Sequence, residues 1–157
     1  MGNRLIDEII ANFGLQYELC QNMEQESRQQ LESLQMGTGR AEINPILDRR
    51  RLLLLKLDQL CQDNRKLQQE LSRELGLEEF NLTRLKPCLA AEEWAVLAKL
   101  INQLSLVLRR ITDTDARSQQ LMSLGQAAAP QKAGPINQNQ ALRAYQEVIR
   151  QNKEPRS

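Results

Sequence analysis

Apolar residues recur along this chain at alternating spacings of three and four, the period that places them on one face of an α-helix. The pattern predicts three long helices. In the first, Ile6, Ile9, Phe13, Tyr17, Cys20, Ser27, Leu31 and Leu34 make one seam from a start at Asn3 to about Met36, and Met23 covers the turn where Glu24 occupies that seam. Asn3 is suited to cap this helix, and Asp7 and Glu8 fall in its opening turn, where the helix dipole favours negative charge. Gly14 interrupts the run at a cost of ~1 kcal/mol relative to alanine, either as a tolerated break or as a close contact between helices. Gly37-Thr38-Gly39 ends the run, because glycines so close together make further helix costly.

The longest pattern runs from Asn44 to Gly76, and the rest of the chain is expected to be organised around it. Asn44 is the expected cap, Pro45 suits the first turn and Gly76 the stop. Leu53, Leu57, Leu60, Asn64, Leu67 and Leu71 form the seam, which Leu54 and Cys61 widen. The result is an amphipathic rod of ~30 residues and ~45 Å, which needs a partner helix to hide its seam. Asn64 occupies a seam position, where a polar residue fixes register at some cost in stability; leucine there is expected to raise the melting temperature. The short loop from about Gly37 to Asn44 sets the first two helices antiparallel.

Beyond Gly76, Leu77, Phe80, Leu82 and Leu85 predict one helical turn and an apolar plug, closed by Pro87. A third helix opens near Ala90 with Glu92 and Glu93 in its first turn. Trp94, Leu97, Leu100, Ile101, Leu104, Val107, Leu108 and Ile111 then give it the widest apolar stripe in the chain. Past Ile111 the stripe thins into TDTDARSQQ, recovers at Leu121, Met122 and Leu124, and stops at Gly125, so firm packing is expected up to Arg110 and looser packing beyond. Residues 1–125 thus read as an all-α, coiled-coil-like three-helix bundle: a long antiparallel hairpin with a third long helix packed on it. Residues 126–157 read as a flexible tail, since QAAAPQKAGPINQNQ holds two prolines and almost no bulky apolar residue. Within that tail Ala141, Leu142, Tyr145, Val148 and Ile149 stand at helical spacing, predicting a short amphipathic helix that docks either on the chain's own bundle or on another protein.

Composition narrows the function classes. Aromatic residues make up 3% of the chain and no run has period two, so a sheet is not expected. The formal net charge of +1 gives no basic field for nucleic acid, and Arg49, Arg50 and Arg51 read as a solvated helix face. No apolar run approaches the ~20 residues of a membrane span. The opening MGNRLIDEII has neither an apolar signal region nor the serine or threonine of a myristoylation signal, which with three isolated cysteines points to a reducing cytoplasm. Without histidine or a C-x-x-C pair, no metal or cofactor is expected; without a nucleophile or phosphate-binding motif, neither is an enzyme. The carboxylates read as solvated partners of exposed ion pairs.

The order of elements, the ILDRRRLLLLKLDQL stretch and the AAEEWAVLAKLINQL stretch together resemble the FlgN-type flagellar export chaperones over most of the chain. Where that family commonly carries an Asn-rich, Leu-ending stretch, this chain has Thr112-Asp113-Thr114-Asp115-Ala116-Arg117-Ser118. The resemblance implies a cytosolic chaperone that keeps hook-associated flagellar proteins soluble and competent for flagellar type III export, and that meets the flagellar export apparatus. It also implies that the C-terminal part grips the client, with Leu121, Met122, Leu142, Tyr145, Val148 and Ile149 as candidate contacts. A FliT-type export chaperone and a structural homo-oligomeric coiled coil remain the alternatives.

Overall fold

The computed structural model describes residues 4–37 and 39–125. They form an all-α bundle of α1 (Arg4–Gln35), α2 (Arg40–Leu75), a short α3 (Leu82–Leu85) continued by a 3₁₀ turn (Lys86–Cys88), and α4 (Ala91–Gly125). The expected cap Asn3 lies outside the described residues. Gly37 adopts φ +73°, the left-handed conformation that ends α1, and its N–H bonds the Leu34 carbonyl at 3.1 Å.

α2 begins earlier than its sequence signals imply. Gly39 occupies the cap position, Asn44 is exposed, and Pro45 lies inside the helix, past its first turn. A proline this near the start forfeits little of the backbone ladder, and the earlier start buries Ile43 together with Ile46. At the other end the expectation for Gly76 holds: with φ +70° it bonds Arg73 O at 3.3 Å, while Leu77 N bonds Ser72 O at 2.8 Å, a paired closure of the last turn. Leu77, Phe80, Leu82 and Leu85 all pack in or against the core as expected of an apolar plug, but the helical turn is shorter than predicted. Asn81 caps α3 by accepting from Arg84 N at 2.8 Å, so the helical turn starts at Leu82 and leaves Leu77 and Phe80 before it. Phe80 and Leu85 are buried, and Trp94 Nε1 donates to the Leu82 carbonyl at 2.8 Å, tying the connection to the start of α4.

Packing gives the central place to α1, not to α2. α1 lies along both α2 and α4, while α2 and α4 scarcely approach each other at the backbone. The contacts give the directions: Asn12 with Asn64 and Glu26 with Arg49 set α1 and α2 antiparallel, and Glu24 with Arg110 and Ser27 with Asp115 set α1 and α4 parallel. α1 can serve two neighbours because its buried surface is wider than its apolar seam. Asn12, Gln16 and Gln30 are buried in addition to Ile6, Ile9, Phe13, Cys20, Met23 and Leu31. Gly14 makes no close contact: an added Cβ would meet nothing within 4 Å, so the glycine is a tolerated interruption of the helix.

The α2 seam is rotated slightly from its leucine count. Leu54, Leu57, Asn64, Gln68 and Leu71 are buried, whereas Leu60 and Leu67 lie at its half-exposed edge. Asn64 Nδ2 donates to Asn12 Oδ1 at 2.9 Å, Asn12 Nδ2 donates to the Leu60 carbonyl at 3.0 Å, and Gln16 Nε2 donates to Asn12 Oδ1 at 2.7 Å. Gln68 Nε2 donates to Asn64 Oδ1, and the Cys61 thiol to Gln16 Oε1 at 3.6 Å. Burial, and secondarily the neighbouring Cys61, pushes the Cys20 thiol up, out of the range in which a thiolate forms.

This ladder reverses the expectation for Asn64. Asn64→Leu strands the buried Gln68 amide, a loss of about 1–3 kcal/mol. A lower melting temperature by circular dichroism is therefore expected, and an increase would show that the ladder stabilises nothing.

Candidate functional site

Of the six candidate contacts, the structure describes Leu121 and Met122; Leu142, Tyr145, Val148 and Ile149 lie outside the described residues. Leu121 and Met122 are half-buried near the end of α4, where Gln30 Nε2 donates to Met122 Sδ at 4.0 Å. Because α1 and α4 run parallel, Met36 and Leu124 close the same end of the bundle, 78% and 79% exposed. Met36, Leu121, Met122 and Leu124 thus lie toward the end of the bundle at which α4 finishes at Gly125. A second apolar face lies on the back of α2, where Leu52 and Leu55 are exposed.

Just inside that end, a charged layer crosses the bundle. Arg50, 5% exposed, donates through Nη1 to Gln30 Oε1 at 2.7 Å and to Asp115 Oδ1 at 2.9 Å, and through Nη2 to Asp115 Oδ2 at 2.6 Å. Ser27 Oγ donates to the same Asp115 Oδ1 at 2.7 Å, and Arg50 Nε to Met23 Sδ at 3.4 Å. Beside them the buried Glu24 accepts from Arg110 Nε at 2.7 Å and from Arg28 Nη2 at 2.8 Å.

Two sequence expectations are corrected here. Arg49 and Arg51 do lie at the surface, paired with Glu26 and Asp48, but Arg50 is a buried link between helices. Likewise Glu24 and Asp115 are not exposed, solvated carboxylates. The signal was available in the spacing: Arg50 stands four before Leu54 and seven before Leu57, and Asp115 stands four after Ile111 and seven after Leu108. A count restricted to apolar residues passes over both. The looser hold expected past Arg110 is correct for apolar packing, since among the described residues none beyond Ile111 joins the main apolar cluster. It omits the polar hold of Asp115 on Arg50, and it omits Ser118, which is fully buried although its Oγ has no hydrogen-bond partner among the described residues.

The layer is built for binding helices together. Hydrogen bonding from Arg110 holds the Glu24 carboxyl below its ordinary value against the opposing effect of burial, with Arg28 adding to the decrease, so Glu24 is a poor proton acceptor near neutral pH. Both Asp115 oxygens are engaged by Arg50, and Ser27 has no imidazole to activate it. Among the described residues no three His, Cys, Asp or Glu side chains gather as a metal site, and no helix is long and apolar enough to cross a membrane. Comparison with family models, with curated proteins and with solved structures gave no match.

Arg50→Ala is expected to cost about 3–5 kcal/mol, because it leaves Asp115 without its guanidinium in a largely dehydrated layer. Arg51→Ala, at the surface one residue away, should stay within about 0.5 kcal/mol; equal effects in urea melts would refute a special role for Arg50. Glu24 gives a pH test. Since its folded pKa is depressed from 4.5, its stabilisation is complete above the unfolded value and is lost as pH falls through the folded value. Glu24→Gln should therefore flatten the acid limb of stability below about pH 4.5, and an unchanged limb would assign the acid sensitivity to other carboxylates.

Proposed function

We propose that this chain is a non-catalytic, cytoplasmic export chaperone of the FlgN type. In this reading it binds hook-associated flagellar proteins and keeps them soluble and competent for flagellar type III export. The supporting observation is the apolar end of the bundle: Leu121, Met122, Leu124 and Met36 leave apolar surface uncovered where α4 leads into the tail. That tail carries Leu142, Tyr145, Val148 and Ile149 at the spacing of a single helical face. Partner and chaperone would then share one helix-in-groove interface made from α4's end and the tail. The interior amides and charges of Asn12, Gln30, Arg50, Asn64 and Asp115 are occupied by one another, which favours apolar complementarity as the recognising chemistry.

Leu52 and Leu55 support a second reading, in which the chain forms a homo-oligomer through the back of α2. Their exposures of 60% and 65% are high for leucine side chains on a helix whose other face is already buried. Sedimentation of the purified chain separates the readings: a monomer that binds a client favours the chaperone, and a defined assembly indifferent to clients favours the oligomer.

A chain ended at Gly125 should melt close to the full-length protein yet fail to co-elute with a purified hook-associated protein. Full binding by the shortened chain would remove the tail from the interface, and its unfolding would make the tail part of the core. In the intact chain Tyr145→Ala should weaken the complex by at least about tenfold, as expected for an aromatic anchor. Unchanged affinity would move the contact to Leu121 and Met122.

A further inference from the structure

The charged layer divides the bundle's apolar interior in two. The main cluster extends from Ile6, Phe80 and Leu97 to Met23, Leu54 and Ile111. Leu31, Ile43 and Ile46 are buried closer to the Gly37 turn and do not belong to it. Glu24, Ser27, Gln30, Arg50 and Asp115 join the helices at the intervening level. α4 spans this division with very different packing on its two sides. Leu97, Ile101, Leu104, Val107, Leu108 and Ile111 are all buried, whereas past Ile111 Leu121 and Met122 are half-buried and Leu124 is exposed.

We propose that residues 112–125 of α4 are a strap that opens and closes over the α1–α2 hairpin as one unit, latched by Asp115 on Arg50 and Ser27, while residues before Ile111 stay docked. Local opening is least costly where little apolar surface is lost to water. The latch does not raise that cost greatly, because a dehydrated ion pair regains hydration when it separates. What the pair supplies is geometry: a fork of two parallel bonds that closes in one register only. Opening uncovers Gln30, Ser27 and the Arg50 guanidinium and frees the inner faces of Leu121 and Met122.

Native-state hydrogen exchange on the full-length chain tests it. Amides of residues 115–124 should share a common protection factor at least about a hundredfold below that of residues 101–111. Equal protection of the two stretches would overturn the proposal, and so would protection that falls smoothly toward Gly125, since that is end fraying and not a unit opening. The quadruple variant Ser27→Ala, Gln30→Leu, Arg50→Met and Asp115→Leu supplies an independent arm. It replaces the latch and the Gln30 amide bonded to Arg50 by apolar groups, so it should raise strap protection toward that of residues 101–111 without changing theirs. Lower strap protection in a folded variant would mean that the ion pair is the strap's main stabiliser, contrary to the proposal. If the variant does not fold, the common protection factor in the unaltered chain decides the matter.

Discussion

Burial of the Arg50 guanidinium is the constraint on which the arrangement of the three long helices depends. Dehydrating a charge costs several kcal/mol unless its hydrogen-bonding capacity is met in place. Arg50 is on α2, and the groups that meet it are on the other two helices: Gln30 and Met23 on α1 and Asp115 on α4. One side chain thus couples the hairpin's register to that of α4. A slip of α4 by one residue turns Asp115 about 100° away from Arg50, leaving two buried charges unpaired. Apolar packing alone is more forgiving, because neighbouring leucines can substitute for one another in a seam.

A second polar level fixes the hairpin nearer the other end. Asn12, Gln16, Asn64 and Gln68 form a ladder between α1 and α2. Between the two levels lie Cys20, Leu54 and Leu57, all buried. The division of labour is physical: dispersion and dehydration of the apolar cluster supply most of the energy, and the polar levels select one alignment among several of similar apolar burial. α1 holds the central position because it contributes to both levels and to the cluster on both of its flanks.

The same commitments shape what the surface offers. Within the bundle the Asn12, Gln30 and Asn64 amides and the Asp115 carboxylate are engaged, and Glu24 is held ionised by its arginines. Apolar surface stays accessible at the end formed by Met36 and Leu124 and on the back of α2 at Leu52 and Leu55. This distribution supports a role in binding other polypeptides, the reading that the resemblance to export chaperones also favours.

The three long helices, their antiparallel hairpin, the glycine stops and the apolar faces at Phe13, Leu57, Leu104 and Ile111 were legible in the chain, because helix periodicity and chain reversal are local properties. Of the six residues expected to contact a partner, the sequence could place Leu121 and Met122 on α4, but not how much of each is covered. The tertiary structure decided what was non-local. It made α1 the central helix, drew Arg50 out of a run of surface arginines, gave Asn64 its partners and started α2 before Pro45. In each case the outcome depends on groups far apart in sequence meeting in a dehydrated layer: a polar side chain reads as surface until the partner that permits its burial is in place.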